Sequence, residues 1–252
     1  MRKKIIFNAD DFGLTKGVNL GIIETFKNGP VRSTTIMAGA DEYNHAVRLA
    51  RENPDLKVGI HLVLSGLNSV GGSYETLTDP KGRLLSLVAI EQCAIDGTLH
   101  LEEVEREFEA QIEKVLKSGI VPSHIDSHHH VHRLPGVANV TMKVAKKYGI
   151  DKIRMGDKGL PKDKTFGFRT TDYFEMGFFK DGVSIENLKR LIENNRGNSI
   201  EVMVHPAVID DELVKISTYN KTRKMETDIL TSKELKEFLE QGNYDIIDFT
   251  TL

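Results

Sequence analysis

Lys4-Ile5-Ile6-Phe7 runs straight into Asn8-Ala9-Asp10-Asp11-Phe12-Gly13, and this stretch decides how the chain is read. A short β-prone run that ends in adjacent acids is a strand delivering polar groups at its carboxyl end. The same pattern returns along the chain. β-prone runs at residues 4–7, 33–37, 57–61, 123–126, 152–155, 200–205 and 245–249 alternate with segments of helical period near 17–28, 41–52, 102–118, 135–148, 184–195 and 231–241. Such alternation predicts an α/β fold in which βα units build a parallel sheet or barrel. A chain of 252 residues is expected to form one domain over residues 1–252, because α/β barrels commonly take about 250.

Local chemistry marks the joints. Asn28-Gly29-Pro30, Ser118-Gly119 and Tyr148-Gly149 are helix stops, and Ser232-Lys233-Glu234 is a start. Two stretches break the rhythm, from 65 to about 86 and from 156 to about 182, both rich in Gly, Thr, Asp and aromatic residues. Connections of that length usually shape a site. With 39% hydrophobic and 28% charged residues and a net charge of -3, the chain lacks the basic field that nucleic acid requires. Behind Arg2, Lys3 and Lys4 the apolar run stops after Ile5, Ile6 and Phe7, too short for a signal-peptide core. No run approaches the roughly 18 apolar residues of a membrane span. A cytoplasmic protein without nucleic-acid or membrane partners is expected. The single cysteine, Cys93, lies in a helix-like segment and reads as a packing residue.

Residues just past the carboxyl ends of parallel strands converge on one face. Here those positions hold Asp10 and Asp11, then His61, then His124-Ile125-Asp126-Ser127-His128-His129-His130-Val131-His132, and finally His205 before Pro206. Adjacent aspartates repel, so a cation or a proton is their natural compensation; the competing reading makes them the N-cap of the following helix. His124, Asp126, His128, His130 and His132 are spaced by two, which shares one face if the chain stays extended, whereas a turn at His128 would aim only some inward. Imidazole with carboxylate suits Zn, Mn, Fe, Co or Ni, and oxygen and water ligands favour Mg. The competing reading is a His-rich surface loop. His205 ahead of a proline suits a strand end, and its side chain has the pKa to donate a proton to an amine leaving group.

These motifs resemble those of the YdjC-like carbohydrate deacetylases, and the chain is especially similar to bacterial chitooligosaccharide deacetylases that act on diacetylchitobiose. The likeness covers nearly the whole chain, through residues 8–17, Ser33-Thr34-Thr35, Gly59-Ile60-His61, residues 126–132, residues 201–207 and a tail at 228–232. It implies a distorted (β/α) TIM-like barrel and hydrolysis of an N-acetyl group from a small acetylated oligosaccharide. The implied cofactor is a divalent metal, Mg first, with Zn, Mn, Co or Ni as alternatives. Carried onto this sequence, His61 and His128 match the metal ligands, with Asp11 as third, while Asp10 would be the general base and His205 the general acid. Arg154 would hold Asp10 ionised, or else form a surface salt bridge. Tyr173, Phe174, Phe178 and Phe179 would give a sugar platform, or else a core or homodimer contact. Two other readings compete: a metal-dependent phosphoesterase on a similar barrel, and a non-catalytic sugar-binding regulator.

Overall fold

The computed structural model describes residues 2–155 and 167–252, so 156–166 of the second expected loop lie outside the described residues. The central strand is β1 (Lys3–Phe12), whose burial from Ile5 onward reflects coverage on both faces. It pairs in parallel with β2 (Ser33–Ile36) on one side and β6 (Ser199–Val204) on the other. β3 (Lys57–Leu62) and β4 (Ile125–Ser127) extend the sheet beyond β2, and β5 (Tyr173–Glu175) lies outside β6, giving the order β4-β3-β2-β1-β6-β5. β7 (Tyr244–Ile246) pairs with the start of β1, Lys3 opposite Tyr244. All these pairings are parallel, and the curled sheet is the expected α/β fold, a distorted and incomplete (β/α) barrel.

The helices are α1 (Lys16–Asn28), α2 (Tyr43–Glu52), α3 (Leu87–Asp96), α4 (Leu101–Lys117), α5 (Val137–Lys147), α6 (Ile185–Asn194), α7 (Asp211–Ile216), α8 (Lys221–Leu230) and α9 (Lys233–Gln241). Their apolar faces and the strands share one core that includes Phe7, Phe12, Ile22, Ile60, Phe108 and Val202. Cys93 packs half-buried against that core from α3, as expected of a packing residue. No helix among the described residues is long and apolar enough to cross a membrane.

Several elements differ from the sequence reading, among them β5 (Tyr173–Glu175), which lies in the stretch expected to be a connection. The expected strand at 152–155 is reduced to single bridges, Ile153 with Ile125 and Lys152 with Arg169, because two different partners share this short segment. It still runs beside β4, with the Arg154 N–H donating to the Ile125 carbonyl at 3.0 Å. The last strand ends at Ile246 rather than 249, since the Asp248 carboxylate accepts the Thr250 N–H at 2.6 Å and starts a tight turn. Helices α7 and α8 occupy a stretch that reads as connection. α8 turns Arg223, Glu226 and Thr227 inward together with Leu230, so its buried face carries little hydrophobic signal.

Candidate active site and metal centre

β1 brings two carboxylates to the mouth of the barrel and separates them. Its register with β2 shifts between Ala9 and Phe12, and Asp11 lies at φ 71°, a left-handed conformation unusual for a non-glycine residue. The cap of α1 is Thr15, whose hydroxyl accepts the Val18 N–H at 3.2 Å. The aspartates are therefore not helix caps.

Asp11 faces two histidines. Its Oδ1 lies 3.3 Å from His61 Nε2 and 3.0 Å from His128 Nδ1, and ligand atoms of all three residues fall within 4.8 Å of one another. β3 ends one residue past His61, and β4 stops at Ser127, where a tight turn, His128–Arg133, begins. Left-handed backbone at His129 (φ 54°) and His130 (φ 55°) breaks the extended spacing, so only His128 of the run joins Asp11 and His61, while His129 stacks on His128 at 3.8 Å and His130 lines the same cleft. His132 turns back to the Ser127 hydroxyl, and His124 stacks on Phe249 at 3.7 Å. His132 and His124 are buried, while His128 and His130 are half-buried and His129 is exposed.

The other nitrogen of His61, Nδ1, meets Asp126 Oδ1 at 2.7 Å. Burial disfavours a charged imidazole there, but Asp126 and Asp11 outweigh it and push His61 up to about 10. A carboxylate behind a histidine fixes its orientation and leaves the outer nitrogen free to bind a cation. The trio Asp11, His61 and His128 thus fits a divalent metal in donor type, convergence and support.

Asp10 points the other way. Both its oxygens accept from Arg154, from Nη1 at 2.7 Å and Nη2 at 2.7 Å, and Asn8 Nδ2 adds a bond at 2.8 Å. Arg154 is fully buried and also meets Asp126 at 2.9 Å and Glu201 at 2.7 Å, which rules out the surface salt bridge. Burial raises the Asp10 carboxyl, and the Arg154 charge overrides it, holding Asp10 below the usual carboxylate range. Glu201 shares that guanidinium with two other acids, and burial leaves it pushed up to about 7. The sequence alone assigns Glu201 no role. An acid inside an otherwise apolar strand was the available signal.

His205 stands one residue beyond β6. The chain that follows it presses against α1, where a Cβ on Gly21 would come 2.3 Å from Ala207 Cα. Only glycine permits that approach, so α1 helps to fix His205. The backbone N–H of His205 donates to Glu226 Oε2 at 2.5 Å, and its buried Nδ1 lies 3.9 Å from Glu226 Oε1. Burial, with the nearby Arg223 charge, lowers His205 to about 4, whereas burial raises Glu226 to about 8. Burial thus favours a proton on this carboxyl over one on the imidazole. Tyr219, which donates its hydroxyl to Glu226, and Arg223, whose Nη2 meets Asp11 Oδ2 at 2.6 Å, complete the cluster. Glu226, Tyr219 and Arg223 were all missed by sequence reasoning.

Asp10, Asp11, His61, His128, His205, Tyr219 and Arg223 line one cleft of about 590 Å³, within the range of small-molecule sites. One wall carries Phe179, whose ring lies 5.3 Å from His205 and 4.4 Å from Tyr219. The other aromatics divide: Phe178 is core, Tyr173 packs half-buried against the core, and Phe174 covers Arg154 at 4.7 Å. The opposite wall is the 65–86 stretch, pinned by polar residues one turn apart on α4. Glu103 accepts the Thr76 N–H at 2.8 Å and Glu107 the Val70 N–H at 2.9 Å, and just ahead of the stretch Gln111 accepts the Val63 N–H at 2.9 Å.

Residues 4–241 match the family model described as YdjC-like protein. The chain belongs to the YdjC-like family. It is 44% identical over 253 residues to a carbohydrate deacetylase of Listeria monocytogenes serotype 4a (strain HCC23), covering 99% of this chain and 100% of that protein. A carbohydrate deacetylase of Clostridium beijerinckii is 38% identical over 248 residues, 98% of each chain. Among solved structures, one from Enterococcus faecalis V583, whose name links it to cellobiose-phosphate cleavage, superposes with a TM-score of 0.88 at 33% identity, covering 100% of this chain and 99% of that one. The peptidoglycan deacetylase PdaC of Bacillus subtilis shares the fold, with a TM-score of 0.51 at 13% identity over 99% of this chain and 89% of that one.

In this YdjC-like chain a second group of candidate ligands, Asp10, His61 and Asp126, overlaps the first at His61. Arg154 Nη1 already bridges its two carboxylates, 2.7 Å from Asp10 Oδ2 and 2.9 Å from Asp126 Oδ2. The YdjC-like site therefore offers one cation position beside a carboxylate held by arginine.

Proposed function

We propose that the chain is a divalent-metal-dependent hydrolase that removes N-acetyl groups from small acetylated amino-sugar oligosaccharides such as diacetylchitobiose. The observation that carries this reading is the division of labour between neighbours: Asp11 faces His61 and His128, while Asp10 is held by Arg154. Full-length relatives named carbohydrate deacetylases support the substrate class.

Asp11, His61 and His128 would hold the ion, Mg first and Zn, Mn, Co or Ni as alternatives. Bound there, it would polarise the acyl oxygen and acidify water. Asp10, kept ionised by Arg154, accepts the proton of the attacking water. Glu226 stores the proton for the leaving amine at rest. Passed to His205 Nδ1, it leaves Nε2–H to donate to that nitrogen. Phe179 and Tyr219 offer ring faces to the sugar.

A two-ion phosphoesterase is disfavoured because Arg154 supplies the cation between Asp10 and Asp126, where a second metal would sit. A purely sugar-binding role leaves the buried acid and base without a task. Acetate release from diacetylchitobiose and a panel of acetylated sugars tests the proposal. Metal-dependent release is expected; none from any acetylated sugar by metal-replete protein would refute it.

A further inference from the structure

Arg223 projects from α8 into the cleft and is 4% exposed. Its Nε donates to the Tyr219 carbonyl at 3.0 Å, and its Nη2 donates to Asp11 Oδ2 at 2.6 Å. Its Nη1 is buried and has no hydrogen-bond partner among the described residues. A guanidinium nitrogen is only ever a donor, so a buried one without an acceptor is costly unless something else supplies the acceptor.

Position says what that acceptor is. Nη2 is fixed on the outer oxygen of Asp11, while the inner oxygen, Oδ1, faces His61 and His128. Nη1 is the sister nitrogen on the same guanidinium. Arg223 lines the same cleft as Asp11, His61, His128, Asp10 and His205, so a group docked at that centre is the acceptor within its reach. An acyl oxygen accepts and does not donate, which matches a guanidinium nitrogen, a donor only.

We propose that Arg223 is a catalytic residue whose Nη1–H hydrogen-bonds the carbonyl oxygen of the scissile acyl group and tightens as negative charge gathers there. This rests on the deacetylase reading above. As the water oxygen bonds to the acyl carbon, the carbonyl π pair moves onto the acyl oxygen and the water proton passes to Asp10. The pair then returns, the C–N bond breaks, and the amine nitrogen takes the proton from His205, giving free amine and acetic acid, which loses its proton to water to leave acetate. Arg223 gives up no proton. It favours the state in which the acyl oxygen is charged.

Arg223→Lys tests this, because it keeps a cation beside Asp11 but lacks the planar fork. Turnover is expected to fall by about 10² to 10³, the loss typical of one removed oxyanion donor. The fall should be alike for an N-acetyl sugar and an activated acetate ester, since both develop the same charge. Metal content should stay at the wild-type level, and acetate affinity of the metal-replete protein, measured by calorimetry, should weaken at least about tenfold. Retained turnover and acetate affinity would overturn the proposal. So would a loss of activity that follows metal content and returns with excess metal, which would make Arg223 only a partner of Asp11. If the wild type frees no acetate from any acetylated sugar, yet its acetate binding still depends on Arg223, the deacetylase reading fails while the acyl-oxygen contact stands.

Discussion

Arg154 grips Asp10 with both terminal nitrogens, each 2.7 Å from a different carboxylate oxygen, in a pair almost wholly withdrawn from water. The same guanidinium serves Asp126 and Glu201. Removing one partner of a buried pair leaves uncompensated charge, which commonly costs about 3–5 kcal/mol. Arg154→Met is therefore expected to lower unfolding free energy by about that much in a denaturant titration. Asp10→Asn in the same chain should recover part of the loss. A single variant within about 1 kcal/mol of wild type would show that the cluster tolerates its loss.

The adjacent aspartates should separate cleanly. Asp11→Asn removes the charge facing His61 and His128, so metal content and turnover should fall together, and excess metal should restore part of both. Asp10→Asn should keep its metal while turnover drops by about 10² to 10⁴. Metal analysis of the two purified variants checks this, and the reverse pattern exchanges their roles.

How much of this was legible beforehand depends on which face of an element carried the signal. Asp10, Asp11, His61, His128 and His205 could be found because each follows an apolar strand, where the side-chain pattern breaks. What divides Asp10 from Asp11 is the left-handed backbone at Asp11 within a register shift, and no local residue pattern announces it. Asp126 was visible as a same-face neighbour of His128, but its bond to His61 comes from parallel pairing across 65 residues of chain. Arg223 and Glu226 were hidden because α8 buries polar groups where amphipathic helices bury apolar ones. Their spacing by three, with Tyr219 four residues before Arg223, was the one cue.

Proton delivery gives a pH-dependent test. The His205 and Glu226 pair faces Tyr219, Arg223, Asp11 and, more distantly, Asp10, and burial, which lifts Glu226 to about 8 and lowers His205, favours a proton on the carboxyl. That proton is needed for the leaving amine and is lost as pH rises through that value. Turnover of an amide substrate should therefore decline above about pH 8. Glu226→Gln should remove this limb and, like His205→Ala, slow the amide far more than an activated acetate ester. Equal losses on the two substrates would assign both residues a structural role.

In the proposed reaction one ion, held by Asp11, His61 and His128, is required to release acetate from an acetylated amino sugar. The direct measurement is acetate released from diacetylchitobiose as metal is titrated into chelator-stripped protein, with bound metal counted per chain. Turnover should be absent without metal, rise in proportion to occupancy and level off at one ion per chain. Full turnover in metal-free protein, or no acetate at full occupancy, would contradict it.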